Sequence, residues 1–157
     1  GAMQHDDVDL SDLVDESALE FDAIAFERSC AISSTIEENV HVTGDREWLE
    51  RLVRILMDNA CKYAGANTIV LVALSQHGRA AHLSVTNMGT PIDPEDLPPL
   101  FDRFYRSDKA RARTSQASGF GLGLAIARGI VEAHGGSISV KSDQVEGTTF
   151  SVTIPIA

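Results

Sequence analysis

Three glycines at alternate positions, Gly119, Gly121 and Gly123, run straight into the helix-like stretch 125–134, which stops at Gly135 and Gly136. Few local structures are open to such a segment. Glycine lets the backbone approach a ligand closely, and the first-turn N–H groups of a helix have no partners within the helix. Together they make a cradle for an anion, with the helix dipole behind it. A phosphate-bearing ligand fits such a cradle, but glycines ahead of a helix also serve as plain turn punctuation. The rest of the chain has to separate these readings.

A chain of 157 residues that is 43% hydrophobic suits one compact domain with a full apolar core. Residues 1–3 read as a cloning scar, 4–8 as a linker remnant and 9–157 as the domain, a piece of something larger. Cys30 and Cys61 form no disulfide framework and no metal-ligand spacing, which fits a reducing compartment. No apolar run approaches membrane-spanning length. The net charge of -10 argues against a nucleic-acid partner. Five of the 13 Lys and Arg residues nevertheless fall within 103–113: Arg103, Arg106, Lys109, Arg111 and Arg113. They make a positive island that is either a solvated loop or a focus for a small polyanion.

Apolar residues at helical spacing predict an entry helix over 9–27. Strand-like pieces follow at 29–36 and 39–42. Asp45 then offers an N-cap for a second helix over 46–63, with Trp48, Leu49, Leu52, Val53, Leu56 and Ala60 as its core stripe. Residues 68–74 and 81–86 predict an antiparallel pair joined at 76–79. The stretch 89–118 is rich in Pro, Gly, Ser and charge and reads as a functional lid. A third helix is expected over 122–134, then strands at 137–140 and 149–154. This order predicts an α+β fold: a two-layer sandwich of a mixed, mainly antiparallel sheet covered on one face by about three helices.

On the second helix, Ile55, Asn59, Lys62 and Tyr63 sit at spacings of 4, 3 and 1, so Asn59, Lys62 and Tyr63 share one edge near the helix end. An asparagine inside a helix costs propensity unless its amide is used, and a hard-cation site uses such an oxygen beside phosphates and waters. Lys62 suits a phosphate and Tyr63 a base. The plain alternative is an exposed Asn59 and a core Tyr63.

Five segments occur together in order: Asp58-Asn59-Ala60-Cys61-Lys62-Tyr63, Asn87-Met88-Gly89-Thr90-Pro91-Ile92, Leu100-Phe101-Asp102-Arg103-Phe104-Tyr105-Arg106, Gly119 to Leu124, and Gly147-Thr148. In order and spacing they resemble the catalytic, ATP-binding domain of bacterial two-component sensor histidine kinases, most of all the heavy-metal-responsive subgroup. The resemblance covers nearly the whole chain. It implies the left-handed βαβ-type sandwich shared with gyrase-type and mismatch-repair ATPases. Asn59 is then the Mg²⁺ ligand, Lys62 a phosphate contact and Tyr63 a neighbour of the base. Asn87 reads the adenine amine, supported by Gly89, Ile92 and Thr148. Phe101 to Arg106, with Phe104 and Arg106 as contacts, and the basic stretch to 118 form an ATP lid, and Gly119, Gly121, Leu122, Gly123 and Leu124 cradle the phosphates. Asn59, Lys62 and Arg106 are the catalytic set.

The chain departs from that family's pattern in two ways. The adenine reader is usually Asp, whereas this chain has Asn87, and Pro91 replaces a glycine of the same loop. One turn before Asn59, where hydrolytic relatives place a Glu base, stands Ile55, which cannot activate water. None of His5, His41, His77, His82 and His134 has a phosphoacceptor context, and His134 reads as a helix-end histidine. The resemblance thus implies a kinase half that passes the γ-phosphate of Mg-ATP to a histidine on a dimerisation and phosphotransfer domain outside this chain, for relay to a response regulator. It also implies a cytoplasmic domain of an inner-membrane sensor, joined to the membrane only through other segments. A module that binds nucleotide or a partner without transfer is the competing reading.

Overall fold

The computed structural model of the chain describes residues 2–102 and 120–156. Helix α1 spans Leu10–Glu27, and the Asp9 carboxylate caps it by accepting the Asp12 N–H at 3.0 Å. Its apolar stripe, Leu10, Leu13, Val14, Ala18, Phe21 and Ala25, is buried as the periodicity requires. Ser29, with φ of 61°, turns the chain into the next strand.

The 4–8 segment, expected as a linker, carries strand β1 (Asp6–Asp9). Three aspartates and one valine give no strand propensity, so pairing decides the matter. β1 runs antiparallel to β3 (His41–Gly44), Val8 lies opposite Val42, and both valines are buried. The His41 imidazole stands 3.1 Å from an Asp7 carboxylate oxygen and 3.8 Å from one of Asp9.

The main sheet has five strands in the order β2 (Cys30–Ile36), β4 (Thr68–His77), β5 (Ala80–Asn87), β7 (Gly147–Pro155), β6 (Ser137–Asp143). Only β2 and β4 are parallel; the other three pairings are antiparallel. Alternation puts Val70, Val72, Leu74, Leu83, Val85, Phe150, Val152 and Ile154 in the core. Helices α1, α2 (Arg46–Tyr63) and α3 (Phe120–Ala133) pack beside this core. Ile69 and Leu71 stay about half exposed. The sandwich is the expected α+β one.

α3 begins at Phe120 rather than at 122. A glycine inside a helix costs about 1 kcal/mol, which places the predicted start after Gly121, but packing against α2 outweighs that penalty. Within the 89–118 stretch expected as a lid, Pro94–Asp96 form a 3-10 turn, and Leu100 and Phe101 are instead buried in the core. The Phe101 ring meets Phe150 edge-on at 5.9 Å, and Asp102 pairs with Arg128 of α3 at 3.7 Å. The lid expectations for Phe104, Arg106 and Gly119 lie outside the described residues.

Asp45 joins three parts of this layout. Its carboxylate accepts the Trp48 N–H at 3.2 Å as N-cap of α2 and the Gln4 N–H at 2.9 Å, while its own N–H donates to His134 Nε2 at 3.1 Å. His134 Nδ1 donates to the Ile130 carbonyl at 2.8 Å, so it is a helix-end histidine with both nitrogens used. The Gln4 N–H holds the Asp45 carboxyl below its ordinary value of 3.8, with the Trp48 and Glu47 N–H groups and His134 acting in the same sense against desolvation. A lowered folded-state pKa contributes stability that is complete above the unfolded value and fades as pH falls through the folded one. Asp45→Asn keeps an acceptor oxygen but does not titrate. Its urea-unfolding midpoint should therefore fall less than that of the parent chain as pH drops below about 4; parallel curves would contradict this role.

Candidate functional site

Helix α2 carries the centre of the site because its last two turns are flanked on both sides. At one flank, β5 ends in Asn87, which is 3% exposed and lies opposite Thr148 of β7. The Asn87 Nδ2 donates to the Tyr63 carbonyl at 3.2 Å. That carbonyl belongs to the final residue of α2, where helical carbonyls lack partners within the helix. The bond fixes the carboxamide with its donor on the helix end, which leaves Oδ1 as the acceptor. Asparagine is the residue type that serves both needs, since a carboxylate has no N–H to give.

The chain beyond Asn87 is pulled against the same helix end. Gly65 N–H donates to the Met88 carbonyl at 2.6 Å. A Cβ on Gly89 would overlap the Tyr63 carbonyl oxygen, so a side chain there would push the loop away. Gly147 sits at φ 84°, and a Cβ on it would run into the Asn87 carbonyl and the Met88 sulfur. Ile92 N–H donates to Ser142 Oγ at 2.8 Å, and Ser142 Oγ shares a 2.6 Å hydrogen bond with the Thr148 hydroxyl. Ile92, Ser142 and Thr148 therefore brace the loop from β6 and β7.

At the other flank, α3 brings its first turn to α2. A Cβ built on Gly123 would lie 3.7 Å from Ile55 Cγ2, so the glycine-bearing turn lies beside Ile55. Gly121, Leu122 and Gly123 thus stand in the first turn of the helix rather than in a loop ahead of it. Their N–H groups are among those a helix leaves without partners. Leu124 is 1% exposed, and its side chain belongs to the core.

Asn59 lies between the two flanks. It is 7% exposed, and among the described residues its side chain has no hydrogen-bond partner. Native interiors leave few such groups, and each calls for an explanation. An oxygen donor held there, next to a helix start that favours phosphate, fits Mg²⁺ carried by a phosphate group. Lys62 is part-exposed and pairs with Asp58 at 3.3 Å, four residues back. Ile55, Asn59, Lys62 and Tyr63 form a stripe about 12 Å long, from the glycine turn to the Asn87 loop.

Sequence reasoning missed Gly65 and Ser142 as parts of this site. Gly65, just past a helix end, carries a glycine signal. Ser142 falls where the alternation of Ile138 and Val140 would put another apolar residue, a break in pattern that the sequence reading did not use.

The sequence pattern of the family described as histidine kinase-, DNA gyrase B-, and HSP90-like ATPase matches residues 44–157. The sensor histidine kinase CusS of Escherichia coli O6:H1 (strain CFT073) is 40% identical over 135 residues, covering 86% of this chain and 27% of the relative. The sensor histidine kinase TrcS of Mycobacterium tuberculosis (strain H37Rv) is 38% identical over 159 residues, 98% of this chain and 30% of the relative. The chain thus spans under a third of the length of these relatives. Among solved structures, mycobacterial sensor histidine kinase MprB superposes with a TM-score of 0.78 at 30% identity, covering 96% of this chain and 97% of that one. The nucleotide-free catalytic domain of histidine kinase ThkA superposes at 0.83 with 27% identity, covering 97% and 95%.

Two glycines separate a site constraint from ordinary helix propensity. Gly89→Ala should lower the unfolding free energy by about 2 kcal/mol, because the added methyl meets a backbone carbonyl that has no slack. Gly129→Ala on α3, where a Cβ meets nothing within 4 Å, should raise it by about 1 kcal/mol. Urea denaturation of both variants checks the pair, and equal effects would remove the argument for a tight Tyr63–Gly89 approach.

Proposed function

This chain belongs to the histidine kinase-, DNA gyrase B- and HSP90-like ATPase family, and on that premise we propose that it is the catalytic domain of a sensor histidine kinase. Its substrates are ATP and a histidine on a dimerisation domain of the same protein, and the phosphoryl group passes on to a response regulator. The observation that carries this reading is the buried carboxamide of Asn59, without a hydrogen-bond partner among the described residues, between an anion-favouring helix start and the Asn87 loop.

The residues divide the work along α2. Asn87 Oδ1 accepts from the adenine amine, while Gly89 and Gly147 let the base lie close to the backbone. Tyr63 flanks the base from the end of α2. Gly121, Leu122 and Gly123 offer N–H groups to the phosphates. Lys62 leaves Asp58 to meet a phosphate at small cost, because an exposed pair of this kind is worth about 1 kcal/mol or less. Mg²⁺ held by Asn59 supplies neutralisation of the charge that gathers on the transferring phosphoryl group. Ile55 beside Gly123 presents only carbon at the γ-phosphate end, so it activates no water there. That favours transfer over hydrolysis. Arg106 of the lid completes the catalytic set in this proposal.

No helix among the described residues is long and apolar enough to cross a membrane. The proposed parent is an inner-membrane sensor with this domain on its cytoplasmic side, a reading supported by the similarity to the sensor histidine kinases CusS and TrcS.

Calorimetric titration tests the site. The chain should bind ATP with Mg²⁺, and Asn59→Ala should weaken Mg²⁺-dependent binding at least about tenfold. The same variant should keep its unfolding free energy within about 1 kcal/mol, since the amide removed has no hydrogen-bond partner among the described residues. Unchanged affinity, or a large loss of stability, would count against the role given to Asn59.

Radiolabelled ATP tests the reaction. The chain alone should leave its own histidines unlabelled and should label a separately supplied dimerisation-helix fragment of its parent protein. Brisk ATP hydrolysis by the chain alone would contradict the role of Ile55. Nucleotide binding without labelling of the helix would favour the binding-module reading.

A further inference from the structure

His77 and His82 have no part in nucleotide chemistry, yet the β4–β5 hairpin sets them side by side. Val72 and Leu74 of β4 and Ala81, Leu83 and Val85 of β5 point into the core. Alternation therefore turns His77 and His82 to the opposite, outer face of the sheet. In the register His77 pairs with Ala80 and His82 with Ser75, so the two histidines are diagonal neighbours across the hairpin. Their ring centres stand 5.4 Å apart, and the planes are tilted by 54° rather than stacked.

That separation is the one a shared metal ion requires. An imidazole nitrogen binds Zn²⁺ at about 2.0–2.1 Å, which puts the ring centre about 3.2 Å from the ion; two rings at a tetrahedral angle then stand about 5.2 Å apart. The hairpin is held in this form from two sides. Gly78, at φ 59°, permits the tight turn, and the Ile156 N–H donates to the Arg79 carbonyl at 2.7 Å, tying the turn to the end of the chain. His82 Nδ1 lies 3.2 Å from the Thr153 hydroxyl of β7. With Nδ1–H donating to that oxygen, the ring is oriented and Nε2 carries the free lone pair, the arrangement in which metal-binding histidines are held by a neighbour.

We propose that His77 and His82 form a two-histidine site for a borderline divalent cation of the Zn²⁺ class, on the sheet face opposite the helices. Neutral imidazole suits such ions, whereas Mg²⁺ takes oxygen ligands and keeps its water. The two rings supply two ligands, and water completes the coordination. Arg79 is the only charged residue of 68–87, and it opposes the cation from the turn, while the net charge of -10 attracts it. Once one ring holds the ion, the second meets it at the effective concentration of a tethered group, so both are needed for tight binding.

Zn²⁺ alone, titrated into the nucleotide-free chain and followed by NMR, tests this apart from the nucleotide site. The His77 and His82 ring signals and the amides of 75–83 should shift together, and a millimolar excess of Mg²⁺ should not reverse the change. His77→Ala and His82→Ala should each weaken Zn²⁺ binding at the hairpin about tenfold or more. His41→Ala, whose ring lies between Asp7 and Asp9, should leave it unchanged. Both substituted side chains lie on the outer face, so neither change opens the core, and an unaltered urea-unfolding midpoint without metal should show it. Zn²⁺ shifts that spare 75–83 would overturn the proposal. So would full affinity retained in either hairpin variant, because one ring would then suffice.

Discussion

The rest of the site depends on one backbone carbonyl, that of Tyr63. Helix α2 has to end there, and the orphan oxygen needs a donor. Asn87 supplies it from the end of β5, and the loop after β5 comes so close that only glycine fits at position 89. This one contact locks the second helix to the centre of the sheet. It also orients the carboxamide and shapes the floor on which a base can lie. Neither Asn59 nor the first turn of α3 would face a common ligand if α2 were free to slide along the sheet.

The substitution of Asn for the family's usual Asp looks like a loss of charge in sequence. In the fold it is an exchange of roles. A carboxylate at position 87 would face the Tyr63 carbonyl with nothing to donate, whereas the amide satisfies that carbonyl and keeps its oxygen. A protein-held hydrogen bond on one side of the carboxamide limits its rotation, so less freedom remains to be lost when a ligand takes the other side.

Both long helices were legible because α1 and α2 place apolar residues at 3.6-residue spacing, and Asp45 offers a cap for α2. Strands β4 and β5 were legible because alternation and a short turn fix their pairing. Strand β1 was not, since Asp6, Asp7 and Asp9 resist any strand assignment until β3 supplies partners and His41 stands between the carboxylates. The start of α3 was misplaced because local propensity counts against glycine and does not see the packing of α2. Within the site, Asn59 and the glycines could be picked out because each breaks a local rule, and broken rules collect at functional positions. Ser142 only takes a polar place on the inward face of β6, and the fold is needed to show that it joins Ile92 to Thr148.

The central claim is that one ligand spans α2 from the first turn of α3 to the Asn87 loop. Amide-shift mapping by NMR with a non-hydrolysable ATP analogue and Mg²⁺ tests it most directly. The account predicts that the largest shifts fall on Gly121 and Gly123, on the α2 turn around Asn59, and on Asn87 to Gly89 together, with the Asn59 group moving only when Mg²⁺ is present. Shifts confined to one of these segments, or gathered on the exposed sheet face around Ile69 and Leu71, would contradict it.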